Sequence, residues 1–239
     1  MKAILMAAGV GSRISRAVDK PKSALEIGNT TIIAHTADML NRNGIDVNVV
    51  IGFMEDYVCK VLSGKKVRFF RNPFYRATNS IASLWFAREL IDGKEDIILA
   101  NADVFWEQPI LDTVMSEERD AMMLGDVSRA ETGDYFFRTS DDKITAYGKE
   151  LKREERNTEY VGISKISKGF SLTFKERLEA LIKKERYGLW WEDVLYEHLN
   201  ETPIYVRDVN GKFWAEVDYI EDYERIKDYI REKRPDLMI

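Results

Sequence analysis

Apolar and polar positions follow two rhythms along the chain, and the change falls near its middle. Residues 2–7 (KAILMA) form a short, nearly continuous apolar run, the pattern of a strand buried on both faces. Residues 31–43 (TIIAHTADMLNRN) put Ile33, Ala37 and Leu40 on one helical face, with Gly44 just past the end. Residues 47–51 (VNVVI) predict a second strand, 55–62 a second helix and 66–70 a third strand. Residues 79–90 predict a third helix with Ile81, Leu84, Trp85 and Leu90 apolar, and 96–100 (DIILA) a fourth strand. Strands alternating with helices need crossover connections, so this half predicts a mostly parallel, Rossmann-like sheet. Ligands of such sheets sit beyond the carboxyl ends of the strands. That places residues 9–13 and 101–103 on one edge.

After about residue 120 the runs shorten. Residues 122–124, 135–138, 143–147 and 160–166 predict strands, with turn signals at 132–134 and 140–142. Helices are expected over 174–184, 192–199 and 220–233, and strands over 203–209 and 213–217. No repeat, low-complexity segment or linker interrupts the chain. The expectation is one α/β domain over 1–239, divided into halves 1–120 and 121–239, the second adding strands and a lid over the first.

Composition narrows the function. With 36 basic and 41 acidic residues well mixed, the net charge is −5. A general nucleic-acid surface needs a basic excess, so no nucleic-acid partner is expected, although a small anion held by a few local cations fits. The single cysteine, Cys59, allows no disulfide within the chain and no cysteine-based metal site. A reducing cytoplasm is the simplest setting. The apolar start is too short for a signal peptide and is broken by Gly9, Gly11, Arg13 and Arg16. No run approaches the ~20 apolar residues of a membrane span, so no membrane insertion is expected. Periodicity leaves the oligomeric state open, and a homo-oligomer is compatible with it.

The first strand runs into Gly9-Val10-Gly11-Ser12-Arg13, and Lys20-Pro21-Lys22 follows. Glycines let a turn approach a ligand, free amides in the turn make an anion cradle, and Arg13 and Lys22 add a planar fork and a point charge. That is a grip for a triphosphate; an ordinary strand-to-helix turn is the alternative. The third glycine of a dinucleotide fingerprint is absent, as is the Gly-Lys-Ser/Thr of a P-loop. Residues 5–13 (LMAAGVGSR) followed by Pro21-Lys22 resemble the signature of the nucleotidyltransferases that include the sugar-phosphate nucleotidyltransferases. The resemblance implies a three-layer α/β sandwich and transfer of a nucleotidyl group to a phosphorylated small molecule, with release of pyrophosphate. It implies that Ala7, Ala8, Gly9, Gly11 and Ser12 wrap the nucleotide while Arg13 and Lys22 stabilise the triphosphate. Residues 1–120 would then be the nucleotide-binding half and 121–239 the acceptor-binding half.

Two carboxylates close strand-like runs, Asp103 after LANA and Asp218 after WAEV. Either reads alone as a helix cap. Together near a triphosphate they suit Mg²⁺, which takes oxygen ligands and keeps several waters. The resemblance implies the same role, with Asp103 also on the nucleotide. Glu216, Glu221 and Asp222 read as caps or surface charges, and His35 and His198, both in helix-like runs, as structural. A phosphomonoester with a second pKa near ~6 is already largely dianionic at neutral pH, so no strong base is required.

Thr78-Asn79-Ser80, opening a helix, resembles cytidylyltransferases that act on phosphocholine or 2-aminoethylphosphonate, which implies CTP; helix capping is the alternative for Thr78 and Asn79. Aromatics gather in the second half, most densely at Trp190-Trp191-Glu192-Asp193. Rings with carboxylates form a box for an ammonium, and packing in the core is the alternative. Trp190, Glu192 and Trp214 are the expected acceptor contacts of this kind, leading to a CDP-choline-like product. Residues 147–151 (YGKEL) resemble inositol-phosphate cytidylyltransferases, which implies Lys149 on the acceptor phosphate; a solvated turn is the alternative. Glu159 is expected to contact an acceptor ammonium or hydroxyl. An inositol- or sugar-phosphate acceptor remains the other reading.

Overall fold

The computed structural model describes residues 1–11 and 19–238. Ser12 and Arg13, two of the expected triphosphate contacts, lie outside the described residues. Lys2–Ala7 forms β1, buried throughout. It has an apolar layer on each side: Ala3, Leu5 and Ala7 enter one cluster and Ile4 and Met6 another. A short hairpin of Glu26–Ile27 (β2) and Thr30–Thr31 (β3) leads into α1 (Ile32–Arg42). The Thr31 side chain caps this helix by accepting from Ala34 N at 3.3 Å. Ile33, Ala37 and Leu40 pack into the first cluster. Then come β4 (Asp46–Ile51), α2 (Glu55–Val61), β5 (Val67–Arg71), α3 (Ser80–Phe86) and β6 (Ile97–Asn101). The strands β5, β4, β1 and β6 lie side by side and parallel, as the alternation demands. Ile81 and Leu84 of α3 pack into the second cluster, on the other face of β1.

The chain continues through β7 (Val104–Phe105), α4 (Gln108–Met115), β8 (Ala121–Asp126), β9 (Phe136–Ser140) and β10 (Lys143–Gly148). After these come β11 (Thr158–Ile166), α5 (Lys168–Lys183), α6 (Asp193–Tyr196), β12 (Tyr205–Asp208), β13 (Ala215–Glu216) and α7 (Ile220–Lys233). One nine-stranded sheet orders them β5-β4-β1-β6-β11-β8-β12-β10-β9. It corrects the expectation of a mostly parallel sheet, because the sheet is mixed. β11 is antiparallel to β6 and to β8, and β9 is antiparallel to β10. The cause is connection length. β9 and β10 are joined through Asp141 and Asp142 with φ of 49° and 60°, a tight turn that can only reverse the chain. The helix expected over 192–199 is also shorter, α6 holding only Asp193–Tyr196.

Two pairings position the edge that matters. Met6 lies opposite Asn101 in the β1–β6 register, so the segments after both strands leave the sheet at one level. The small β7–β13 ladder sets Glu216 opposite Val104 and brings residues 215–218 beside Asp103. α7 holds that ladder down, with Ile226 and Ile230 packed against Phe105, Ala215 and Val217. Among the described residues no helix is long and apolar enough to cross a membrane.

Candidate active site

A cleft of about 530 Å³ opens beyond the carboxyl ends of β1 and β6. Ala8, Gly9 and Gly11 line one wall, and Ala7 lines a recess of about 70 Å³ beside it, shared with Lys22 and Asp103. Gly11 has φ +64°, and a Cβ there would stand 2.8 Å from Lys22 Cγ. Glycine is therefore what lets the Lys22 stem lie across the turn.

Lys22, at the start of a single 3-10 turn, reaches two carboxylates that are far apart in sequence. Its Nζ bonds Asp218 Oδ1 and lies 3.8 Å from Asp103 Oδ2. The backbone reinforces the meeting, Val217 N donating to Asp103 O at 3.1 Å. Burial opposes the charge on Lys22, but Asp103 and Asp218 outweigh it and hold the ammonium above its ordinary value. Burial raises the Asp103 carboxyl against the pull of Lys22, and Asp218 raises it further. Glu216 also lines the cleft, accepting from Asn101 Nδ2 at 3.4 Å. Burial, then Asp103 and Asp218, push its carboxyl well above the usual carboxylate range. Among the described residues, Asp103 and Asp218 thus meet at the Lys22 ammonium, with Glu216 lining the cleft close by. Among the described residues no group of three or more His, Cys, Asp or Glu side chains is arranged to hold a metal by itself. Two carboxylates suffice for Mg²⁺ when substrate phosphate and water complete its shell, so the donor set fits.

Thr78, Asn79 and Ser80 line the cleft at the start of α3. The Asn79 side chain also caps the helix, accepting from Ser80 N at 2.8 Å, and the Thr78 hydroxyl donates to Phe74 O at 2.9 Å. This turn is tied to the far wall: Asn79 N donates to Tyr187 O at 2.8 Å, and Trp191 N donates to Ser80 Oγ at 2.9 Å. Of the two adjacent tryptophans, Trp191 is buried, its Nε1 donating to Asn101 Oδ1 at 3.0 Å, while Trp190 is 41% exposed and lines the cleft. Tyr135 meets Trp190 edge-on at 5.7 Å and stacks on Tyr196 at 6.0 Å. Glu192 lines this end and is 6% exposed; burial, aided by Asp193, raises its carboxyl to about 8. Lys149 lines the same end, its Nζ bonded to Asp134 and 6.0 Å from the Trp190 ring.

Two expected acceptor contacts stand elsewhere. Glu159 faces away from the cleft and holds Arg129 and the Asp134 N–H. Trp214 is buried, its Nε1 donating to Asp126 Oδ2 at 2.8 Å. Both are behind the wall because β11 and the approach to β13 turn those side chains into the core. Conversely, Glu216 and Asn101 belong to the cleft, although Glu216 reads in sequence as a cap or surface charge. A signal was there: Glu216 and Asp218 are two apart at a strand end, which puts both on one face. Asp222 does cap α7, its Oδ2 accepting from Tyr219 N at 2.9 Å. His35 is buried against Phe105, with Nε2 3.1 Å from Trp106 O, and burial lowers it to about 4. His198 pairs with Glu201 at 3.0 Å. Neither lines the cleft.

Residues 3–141 match the family described as the MobA-like NTP transferase domain. The chain belongs to this family. As an NTP transferase it has curated relatives that align over nearly its full length. A CTP:phosphoglutamine cytidylyltransferase of Campylobacter jejuni is 25% identical, covering 94% of this chain and 98% of that protein. A choline-phosphate cytidylyltransferase of Streptococcus pneumoniae is 22% identical, covering 97% and 99%. The solved CTP:phosphocholine cytidylyltransferase of Streptococcus pneumoniae superposes with a TM-score of 0.78 at 18% identity, covering 96% of this chain and 98% of that one, and so shares the fold. This NTP transferase is an enzyme of the nucleotidyltransferase class.

Proposed function

We propose that this NTP transferase joins CTP to a phosphorylated small amine, phosphocholine or a related phospho- or phosphono-amine, and releases pyrophosphate. The carrying observation is the continuity of one cleft from Lys22, Asp103 and Asp218 at one end to Trp190 and Glu192 at the other. The first end suits a triphosphate. The second presents aromatic rings and a buried carboxyl, surroundings that favour an ammonium by cation–π attraction and a hydrogen bond to Glu192. The cytidylyltransferase relatives support CTP as the nucleotide.

The chemistry is in-line attack by an acceptor phosphate oxygen on the α-phosphorus. A new O–P bond forms as the bond between the α- and β-phosphates breaks and pyrophosphate leaves. The nucleophile is anionic at neutral pH, so the protein's work is positioning and charge neutralisation. The turn at Gly9 and Gly11 admits the nucleotide close to the main chain. Lys22 supplies positive charge beside the phosphates. Asp103 and Asp218 would hold Mg²⁺, which when bound neutralises phosphate charge. Thr78, Asn79 and Ser80 stand where the nucleobase would be read, and Lys149 where the acceptor phosphate would be met.

A pyrophosphate-release panel tests this: CTP, UTP, ATP, GTP and dTTP against phosphocholine, aminoethyl phosphate, aminoethylphosphonate, inositol phosphate and hexose phosphates, with and without Mg²⁺. Turnover is expected with CTP and a phosphorylated amine. Turnover with a hexose or inositol phosphate and none with any amine overturns the acceptor assignment.

A further inference from the structure

Glu159 is a buried ionisable side chain that the proposed chemistry does not use. It is 5% exposed, and both its oxygens are engaged by one loop. Oε2 accepts from Arg129 Nε, and Oε1 accepts from Asp134 N at 3.0 Å. Between these anchors, Gly133 passes so near that a Cβ would lie 2.2 Å from the Glu159 carboxyl carbon. The loop over 127–134 is therefore folded around a single carboxylate. Behind it, the Arg129 guanidinium lies 5.4 Å from the Trp214 ring, and Trp214 is fixed in turn by Asp126. In front, the loop delivers Asp134 and Tyr135 to the cleft, and Asp134 bonds Lys149.

We propose that Glu159 is a positioning residue for the acceptor: it anchors the 127–134 loop from behind and so sets where Asp134 and Lys149 stand in the cleft. The inference rests on reading that end of the cleft as the acceptor subsite. Charge-assisted hydrogen bonds to a buried carboxylate are short and directional, so they fix a loop more tightly than apolar contact does. A group held within a few tenths of an ångström by such support binds its ligand better than the same group on a loose loop. The nucleotide end is built on other segments, the turns after β1 and β6 and the start of α3. Disturbing Glu159 therefore separates the two substrates.

Two variants probe the anchor differently. Glu159→Gln removes the charge that holds Arg129, and Gly133→Ala drives a methyl into the carboxylate while leaving Glu159 in place. Circular dichroism establishes that each is folded. Steady-state kinetics then use whichever acceptor phosphate the unaltered enzyme turns over best. Each variant is expected to raise the acceptor KM about tenfold while leaving the CTP KM within about twofold, the mark of a lost ground-state contact to one substrate. Glu159→Gln combined with Lys149→Ala is expected to be no worse than Lys149→Ala alone, because both act through one contact. An acceptor KM unchanged in both variants, or one rising in step with the CTP KM, overturns the proposal. A substrate-free arm does not depend on the acceptor's identity: acetylation of Lys149, followed by mass spectrometry, is expected to run several-fold faster in both variants as the Asp134 contact loosens. An unchanged rate also overturns it. If the unaltered enzyme uses only a non-amine acceptor, the proposed substrate fails while the KM split still decides the role of Glu159.

Discussion

The two ends of the cleft are built on opposite plans. The proposed phosphate end is charged and stands on strand ends: the turn after β1, Asp103 after β6, and Asp218 after β13. Its members meet because parallel register and the β7–β13 ladder force them to. The proposed acceptor end is aromatic, and draws largely on loops at 134–135, 149 and 190–192, with Tyr160 of β11 and Tyr196 of α6 behind them. In the first, charge pairing does the work, since among the described residues Asp103 and Asp218 both reach Lys22. In the second, burial dominates, which with help from Asp193 is why Glu192 lies near 8. An end made of strand termini is stiff and suits the step common to all acceptors, while an end made of loops can change with the substrate.

The contrast is broken most sharply at Asp103. Asp103→Ala is expected to lower kcat by ~10²–10³, about 3–4 kcal/mol of barrier, with little change in acceptor KM. Pyrophosphate release at saturating substrates measures it. If activity survives in full with Mg²⁺ present, the phosphate end has been misassigned.

Glu192→Gln should act on the other end, raising the KM of a cationic acceptor by ~10–100-fold, the range for losing a hydrogen bond to a charged group, with kcat little changed. It also carries a pH signature. The folded carboxyl, near 8, lies above its ordinary value, so the folded state binds the extra proton. Its contribution to stability is complete below about pH 4 and is lost as pH rises through about 8. Thermal melts of the ligand-free enzyme should show a smaller decline between pH 5 and pH 8 in Glu192→Gln than in the unaltered chain. Parallel curves would mean that Glu192 is already ionised.

Smaller effects sharpen the boundary. Trp190→Ala removes a half-exposed ring and should raise the acceptor KM by ~2–30-fold, the equivalent of ~0.5–2 kcal/mol, and leave the CTP KM alone. Trp214→Phe removes the donor to Asp126 and part of a buried ring, and should cost ~1–3 kcal/mol of stability in urea unfolding without changing the CTP KM. His198→Ala, at an exposed pair with Glu201, should shift stability by less than ~0.5 kcal/mol and kcat not at all.

Much of this was legible before any coordinates. β1, β4, β5 and β6 followed from periodicity because each is a short apolar run between helical stretches. That Gly11 and Lys22 belong together followed from their types and spacing, and the structure lays the Lys22 stem across Gly11. Glu159 and Trp214 were legible as unusual residues but not as to direction, because side-chain orientation depends on how a strand is set in the sheet. Glu216 was misjudged for the converse reason: a carboxylate beside a helix start reads as solvated until the β7–β13 ladder sets it in the cleft wall.

By itself, then, the sequence determined the alternating half of the fold, the glycine-rich turn after β1 and the supply of carboxylates. Those depend on local spacing and chemical type, which a linear pattern preserves. The tertiary structure alone decided that the sheet is mixed, that Asp103 and Asp218 share Lys22, and which of the second half's aromatics and acids face the cleft. Those depend on strand direction and long-range register, and neither is encoded in any single stretch of chain.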